Sequence, residues 1–181
     1  MMGMTGTLLH PGCGHEPLPT WAHGVTEVRL DIDPDCKPDI VASITELGDI
    51  GPFDHIYTAH TLEHLYDYDV PKALSEFLRV LNPGGSVIIF VPDVEGVTCN
   101  REVLYESPGG PICGLDLYYG KTSYVRQNAY YAHHTAFVSE TLADALCSAG
   151  FDQVTVKRMP DHNLMAVGKK GAKQHETDEM A

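Results

Sequence analysis

Three groups of residues in this 181-residue chain have types and spacings that could do chemistry. The first is Gly12-Cys13-Gly14, which follows the apolar stretch Leu8-Leu9-His10-Pro11, together with Asp31-Ile32-Asp33, which closes the stretch Val28-Arg29-Leu30. Glycines after a strand let the backbone approach a ligand closely, and a carboxylate ending the neighbouring strand can accept both hydroxyls of a ribose. The pair therefore points to a nucleotide site, with an adenosyl group as the expected ligand. Context carries this reading, because the third glycine of a dinucleotide fingerprint is absent. Asp33, which precedes Pro34, reads instead as part of an acidic turn.

The second group is His60-Thr61-Leu62-Glu63-His64, which spells His-x-x-Glu-His, an inverted zinc-protease motif. Zinc hydrolysis needs both imidazoles one turn apart on a stable helix, a third ligand from elsewhere, and the glutamate as base for the metal-bound water. Here the segment directly follows an apolar strand, so no metal is assigned and the zinc hydrolase stays an alternative. Capping of the next helix by Glu63 and His64 is a further alternative. The third group is His133-His134, beside a stretch rich in tyrosines (Tyr105, Tyr118, Tyr119, Tyr124, Tyr130 and Tyr131). One of these imidazoles could take a proton from a substrate hydroxyl or amine, and His133 is the expected catalytic base. Adjacent residues do not usually both face one site, and the alternative for either one is a packing or surface histidine. The tyrosines either pack or stack on a substrate ring.

The elements that must position these groups alternate along the chain. Thr7 to Leu9, Val25 to Leu30, Ile40 to Ala42, Phe53 to Thr58 and Ser86 to Val91 predict short strands, and Val70 to Leu81 predicts a helix stopped by Asn82-Pro83-Gly84-Gly85. A second helix is expected from Ser139, carrying Leu142, Ala145, Leu146 and Ala149 and closed by Gly150. It is followed by strands at Val154 to Met159 and Leu164 to Val167, paired as a final hairpin. Such alternation implies an α/β parallel sheet. Pro17 and Pro19 leave little room for a helix between Gly14 and Val25, so the first crossover is abbreviated. Residues 94–134 show no clear strand and read as a lid or substrate wall over the sheet's carboxyl edge, or as the contact of a homodimer. One domain over residues 1–168 and a disordered tail at 169–181 complete the expected organisation.

Composition narrows the partners. A net charge of -13 and the lack of any basic run argue against nucleic acid. Five scattered cysteines without a CxxC pair suit free thiols in a reducing compartment. No apolar run is long enough for a bilayer, so no membrane contact and a cytoplasmic location are expected.

Taken together, these residues resemble the class I S-adenosylmethionine-dependent methyltransferases, especially small members with an abbreviated first crossover. The most specific stretches are Phe53 to Leu65 and Ala73 to Gly85, which look like the family's fourth strand with its loop and the helix and turn before the fifth strand. Ala132-His133-His134-Thr135-Ala136-Phe137 is similar to a further segment of uncharacterised relatives. The resemblance implies a doubly wound, Rossmann-like sheet, mostly parallel with an antiparallel last strand, and S-adenosyl-L-methionine as cofactor. By position, Gly12, Cys13 and Gly14 would line its methionine and ribose portion. Asp31, with Ile32 beside it, would take the ribose hydroxyls, Ser43 and Ile44 would edge the adenine, and His60 and Leu62 would close the near side. The chain departs from the family pattern at His10 and Ser43, where acids are usual, and at Glu16, where a glycine is usual. The implied activity is methyl transfer to an oxygen, nitrogen or carbon nucleophile on a small molecule. A module that binds the cofactor without turnover is the second reading.

Overall fold

In the computed structural model, which describes residues 4–172, regular elements follow in chain order. They are β1 (Gly6–Pro11), β2 (Val25–Asp31), β3 (Ile40–Val41), β4 (Phe53–Ala59), α1 (Val70–Val80) and β5 (Leu81–Pro92). After these come β6 (Val103–Ser107), β7 (Gly110–Cys113), α2 (Gly114–Tyr119), α3 (Thr122–Val125), α4 (Ser139–Ala149), β8 (Asp152–Met159) and β9 (Asn163–Lys169). Seven strands form one sheet in the order β3-β2-β1-β4-β5-β9-β8. The pairs among β1 to β5 are parallel, while β9 runs antiparallel to both β5 and β8. The expected Rossmann-like sheet, mostly parallel with an antiparallel last strand, is present.

Strand register sorts the side chains onto two faces. Leu9, Ile56 and Val87 lie side by side, as do Ile89 with Ala166 and Val91 with Leu164, and all are buried. Against this face α1 sets Val70, Ala73, Leu74, Phe77 and Val80, and α4 sets Leu142 and Leu146, making one core. The opposite face carries Tyr57, Ile88 and Val167 in one row and Ala59, Phe90 and Met165 in the next, all half-buried. Trp21 meets Tyr57 edge-on there, at 5.5 Å between ring centroids. The asymmetry follows from the crossovers: residues 12–24, with two prolines, form only the 3-10 turn Thr20–Ala22 where a helix would otherwise cover the sheet.

Three boundaries differ from the sequence-based expectation. Residues 94–134 do contain strands, since β6 and β7 pair as a hairpin whose Leu104, Tyr105 and Ile112 pack with Val94, Val97 and Leu117 in a small separate cluster. Asn82 to Gly85 is a register break inside β5, where Phe53 pairs with Leu81 and His55 already with Ser86. The ordered chain also continues past 168. Lys169 pairs with Ser86 and Asp152, and the Lys170 ammonium donates to the Leu81 carbonyl at 2.7 Å. Residues 173–181 of the expected tail lie outside the described residues. All five cysteines are free. No helix among the described residues is long and apolar enough to cross a membrane.

Candidate functional site

Strands β1, β2, β3 and β4 end at the same edge of the sheet, where the strand order reverses between β1 and β4. In open α/β sheets such a switch point is the usual place for a ligand crevice. A cleft of about 300 Å³ lies there, lined by Gly12, Gly14, Asp31, Ile32, Asp33, Cys36, Ser43, Ile44, His60, Thr61, His64, Leu65, Asn128 to Tyr131 and His134. Seven of the ten residues singled out from the sequence line it: Gly12, Gly14, Asp31, Ile32, Ser43, Ile44 and His60.

The glycine turn is built for close approach, though its first glycine approaches protein. A Cβ on Gly12, at φ +66°, would sit 2.2 Å from the Thr61 hydroxyl, so the missing side chain lets the loop after β4 close against the loop after β1. At Gly14 a Cβ would meet nothing within 4 Å, which leaves that side open to a ligand. No helix follows to hold the turn. Instead Arg29, projecting from β2, donates to the carbonyl of Gly14 at 2.7 Å and to that of Glu16 at 2.9 Å. The Glu16 side chain is exposed and lies outside the cleft. His10 is buried and bonded to Glu27 at 2.7 Å, and burial pushes its imidazole down against the pull of that carboxylate.

Asp31 is 8% exposed, and each carboxylate oxygen already takes one backbone N–H: Gly14 at 2.8 Å and Asp33 at 2.9 Å. Each oxygen retains a second acceptor site, so the carboxylate fits a vicinal diol without surrendering the turn. The side chain of Ile32 is 44% exposed at the cleft, and Ile44 stands there buried. These are apolar walls suited to a flat base. Ser43 faces the cleft too, with its hydroxyl engaged by Thr45 at 2.8 Å. This set of a carboxylate, an open glycine and apolar walls fits the adenosyl ligand expected from the sequence.

Two expected cofactor residues turn away. Cys13 is 1% exposed and Leu62 0%, and neither side chain lines the cleft. Burial pushes the Cys13 thiol up to about 11, so it stays protonated at neutral pH and serves packing. His133, the expected base, is also off the cleft, and its neighbour His134 takes that place, stacked on Tyr66 at 4.3 Å. The His133 ring is held by the Leu117 carbonyl, 2.9 Å from its Nδ1, while His134 and Thr135 both donate their N–H to the Glu63 carbonyl, at 2.8 and 3.1 Å.

The zinc-hydrolase alternative fails on conformation. His60 lies outside any helix at φ +53°, Leu62–His64 form a single 3-10 turn, and Glu63 is 1% exposed and does not reach the cleft. Burial works against the Glu63 charge, but the imidazoles of His60, His64 and His133 together hold the carboxyl below its usual range. Burial pushes His133 down despite Glu63.

Residues 128–131 of the insertion complete the cleft, and of these Asn128 and Ala129 were not singled out from the sequence. Asn128 donates from its side-chain amide to Asp33 at 3.0 Å, bridging from residues 128–131 to the loop after β2, and Tyr130 and Tyr131 stand beside it. These partners are 95 residues apart, and no local pattern announces them.

The sequence matches the profile of a family described as a methyltransferase domain over residues 5–156. No curated protein matches it in a sequence comparison. Among solved structures, it is similar to an S-adenosylmethionine-dependent methyltransferase from Mesorhizobium loti, at 17% identity and a TM-score of 0.65, covering 91% of each chain. It is also similar to the Burkholderia thailandensis 1,6-didemethyltoxoflavin-N1-methyltransferase, solved with that compound and S-adenosylhomocysteine, at 18% identity and TM-score 0.62, covering 92% of this chain and 72% of that one. A third is human N-acetylserotonin methyltransferase in complex with S-adenosylmethionine, at 14% identity and TM-score 0.62. There 92% of this chain covers 48% of the other, so this chain spans about half its length.

Proposed function

The chain belongs to the methyltransferase-domain family, a class I fold whose cofactor is S-adenosylmethionine, and from that premise we propose that it methylates an oxygen, nitrogen or carbon nucleophile on a small molecule. The observation that carries this reading is the Asp31 carboxylate, facing the cleft with acceptor sites to spare between the glycine turn and the 128–131 segment. The cofactor's sulfonium supplies an already activated methyl group, which leaves binding, alignment and exclusion of water to the protein.

Asp31 holds the ribose hydroxyls, Ile32 and Ile44 flank the base, and the open side of Gly14 admits the rest of the cofactor. The segment from Asn128 to Tyr131 acts as a lid latched to Asp33, keeping water out while the acceptor is aligned. His134, at the cleft and held by Tyr66, is placed to take a proton from an acceptor hydroxyl or amine. The acidic net charge of -13 favours metabolites over nucleic acid. The 1,6-didemethyltoxoflavin bound by the Burkholderia relative, also a small molecule, supports the same choice. Free thiols on all five cysteines suit the cytoplasm.

The test is turnover. The purified chain is incubated with S-adenosylmethionine and a panel of small hydroxylated, amino and enolic compounds, and S-adenosylhomocysteine is followed by mass spectrometry. Acceptor-dependent product supports the proposal. Tight cofactor binding with no product across the panel would instead mark a binding module.

A further inference from the structure

One buried group has no task in methyl transfer: the Glu63 carboxylate. It is 1% exposed, and neither oxygen has a hydrogen-bond partner. Its contact with His60 Nδ1, at 3.3 Å, lacks hydrogen-bond geometry. A buried carboxylate left without hydrogen bonds is costly, and such groups in folded proteins are hydrogen-bonded or coordinate a metal. Ligand atoms of Glu63, His64 and His133 lie within 4.8 Å of one another.

The two imidazoles are held alike. His64 Nδ1 lies 3.0 Å from the Ala132 carbonyl and His133 Nδ1 2.9 Å from the Leu117 carbonyl. A carbonyl only accepts, so Nδ1 carries the proton in each ring and Nε2 keeps its lone pair. Fixing an imidazole through its other nitrogen in this way is how proteins orient histidine ligands to metals. The backbone that carries the trio is tied as well, through the two N–H groups on the Glu63 carbonyl and the Thr135 hydroxyl on the Leu65 carbonyl at 2.6 Å.

We propose that Glu63, His64 and His133 form a site for a first-row divalent transition-metal ion, through one carboxylate oxygen and the two Nε2 atoms. Two nitrogens and one oxygen suit zinc, cobalt, iron or manganese, whereas magnesium and calcium prefer all-oxygen sets and copper(I) prefers sulfur. Around a tetrahedral ion with bonds of about 2.0–2.1 Å, ligands stand roughly 3.4 Å apart. Side-chain rotation on the fixed backbone supplies the remaining contraction. His64 also lines the cleft, so the open coordination position faces it. The trio differs from the hydrolase motif in sequence, since it omits His60 and recruits His133.

The test uses the full chain, stripped with chelator and titrated with cobalt(II), whose visible bands report nitrogen and oxygen coordination, followed by displacement with zinc(II). One ion per chain and a raised thermal midpoint are expected. Glu63→Gln and His133→Ala should each weaken cobalt binding by about a hundredfold or more, and His23→Ala, at an exposed histidine of the first crossover, should leave it unchanged. If His133→Ala does not fold, Glu63→Gln, which keeps the side chain's shape, decides. No saturable binding by the native chain, or equal binding by native chain and folded variants, would overturn the site. The proposal stands apart from the methyl donor, whose binding is read separately on the metal-free protein.

Discussion

Replacing Asp31 by alanine separates ligand binding from turn stability, because the carboxylate serves both. In the folded chain its oxygens accept Gly14 N–H at 2.8 Å and Asp33 N–H at 2.9 Å, and the second acceptor site on each remains for a ribose hydroxyl. Removing two charge-assisted bonds to the diol should cost about 2–4 kcal/mol of binding, which weakens cofactor affinity about 30-fold to 1000-fold. The two backbone donors lose their partner too, but Gly14 and Asp33 are only half-buried and water can reach them. The stability cost should therefore be about 1–2 kcal/mol, a drop in Tm of a few degrees. The assay is calorimetric titration with S-adenosylmethionine beside a thermal melt of the same sample. A folded Asp31→Ala chain that binds within about threefold of native affinity, a difference under about 1 kcal/mol, would remove Asp31 from the site and refute the reasoning.

Four further outcomes are expected. Gly12→Ala, whose Cβ would sit 2.2 Å from the Thr61 hydroxyl at φ +66°, should destabilise by about 2–3 kcal/mol, against about 1 kcal/mol for Gly14→Ala in open space; equal melting points would contradict this. Asn128→Ala should release S-adenosylhomocysteine about 3- to 10-fold faster in stopped flow by losing its bond to Asp33, and an unchanged rate would leave the segment without a latch. His134→Ala should lower kcat by about 100-fold or more with cofactor affinity unchanged, so unaltered turnover would exclude His134 as base. Asp54, whose carboxyl is held below its usual range first by the Thr7 N–H and then by the Asn82 amide, is stabilising above the unfolded-state pKa of about 3.9 and loses that effect as pH falls through its lower folded value. Asp54→Asn should therefore melt lower than the native chain at neutral pH, with the gap closing in acid, and a gap independent of pH would remove that assignment.

What the sequence made legible was mostly local. Strand β2 was readable as Val25 to Leu30 and helix α1 as Val70 to Leu81, each within a residue of the observed end, because a single apolar periodicity runs through each. The hairpin of β6 and β7 was missed despite the turn residues Pro108 and Gly109. Its strands are short and none of their residues is fully buried, and alternation has little to register where only Leu104, Tyr105 and Ile112 pack inward. Within the site, Gly14 and Asp31 follow from strand ends, which are visible locally. Which of His133 and His134 reaches the cleft does not, since the His133 ring is tied to the Leu117 carbonyl and the backbone at His134 to the Glu63 carbonyl some seventy positions away in sequence. Cys13 and Leu62 stand off the cleft for a related reason: both belong to loops at its edge, but whether such a side chain faces the cleft or the core is set by neighbours the motif does not contain. Arg29 holding the glycine turn, and Asn128 meeting Asp33, are likewise products of tertiary approach.

The central claim is tested most directly by calorimetric titration of the native chain with S-adenosylmethionine and S-adenosylhomocysteine in chelator-treated buffer. The expected result is saturable micromolar binding at one site per chain, with each ligand competing against the other. An absence of heat for both ligands, together with no competition, would contradict a methyltransferase cleft at Asp31.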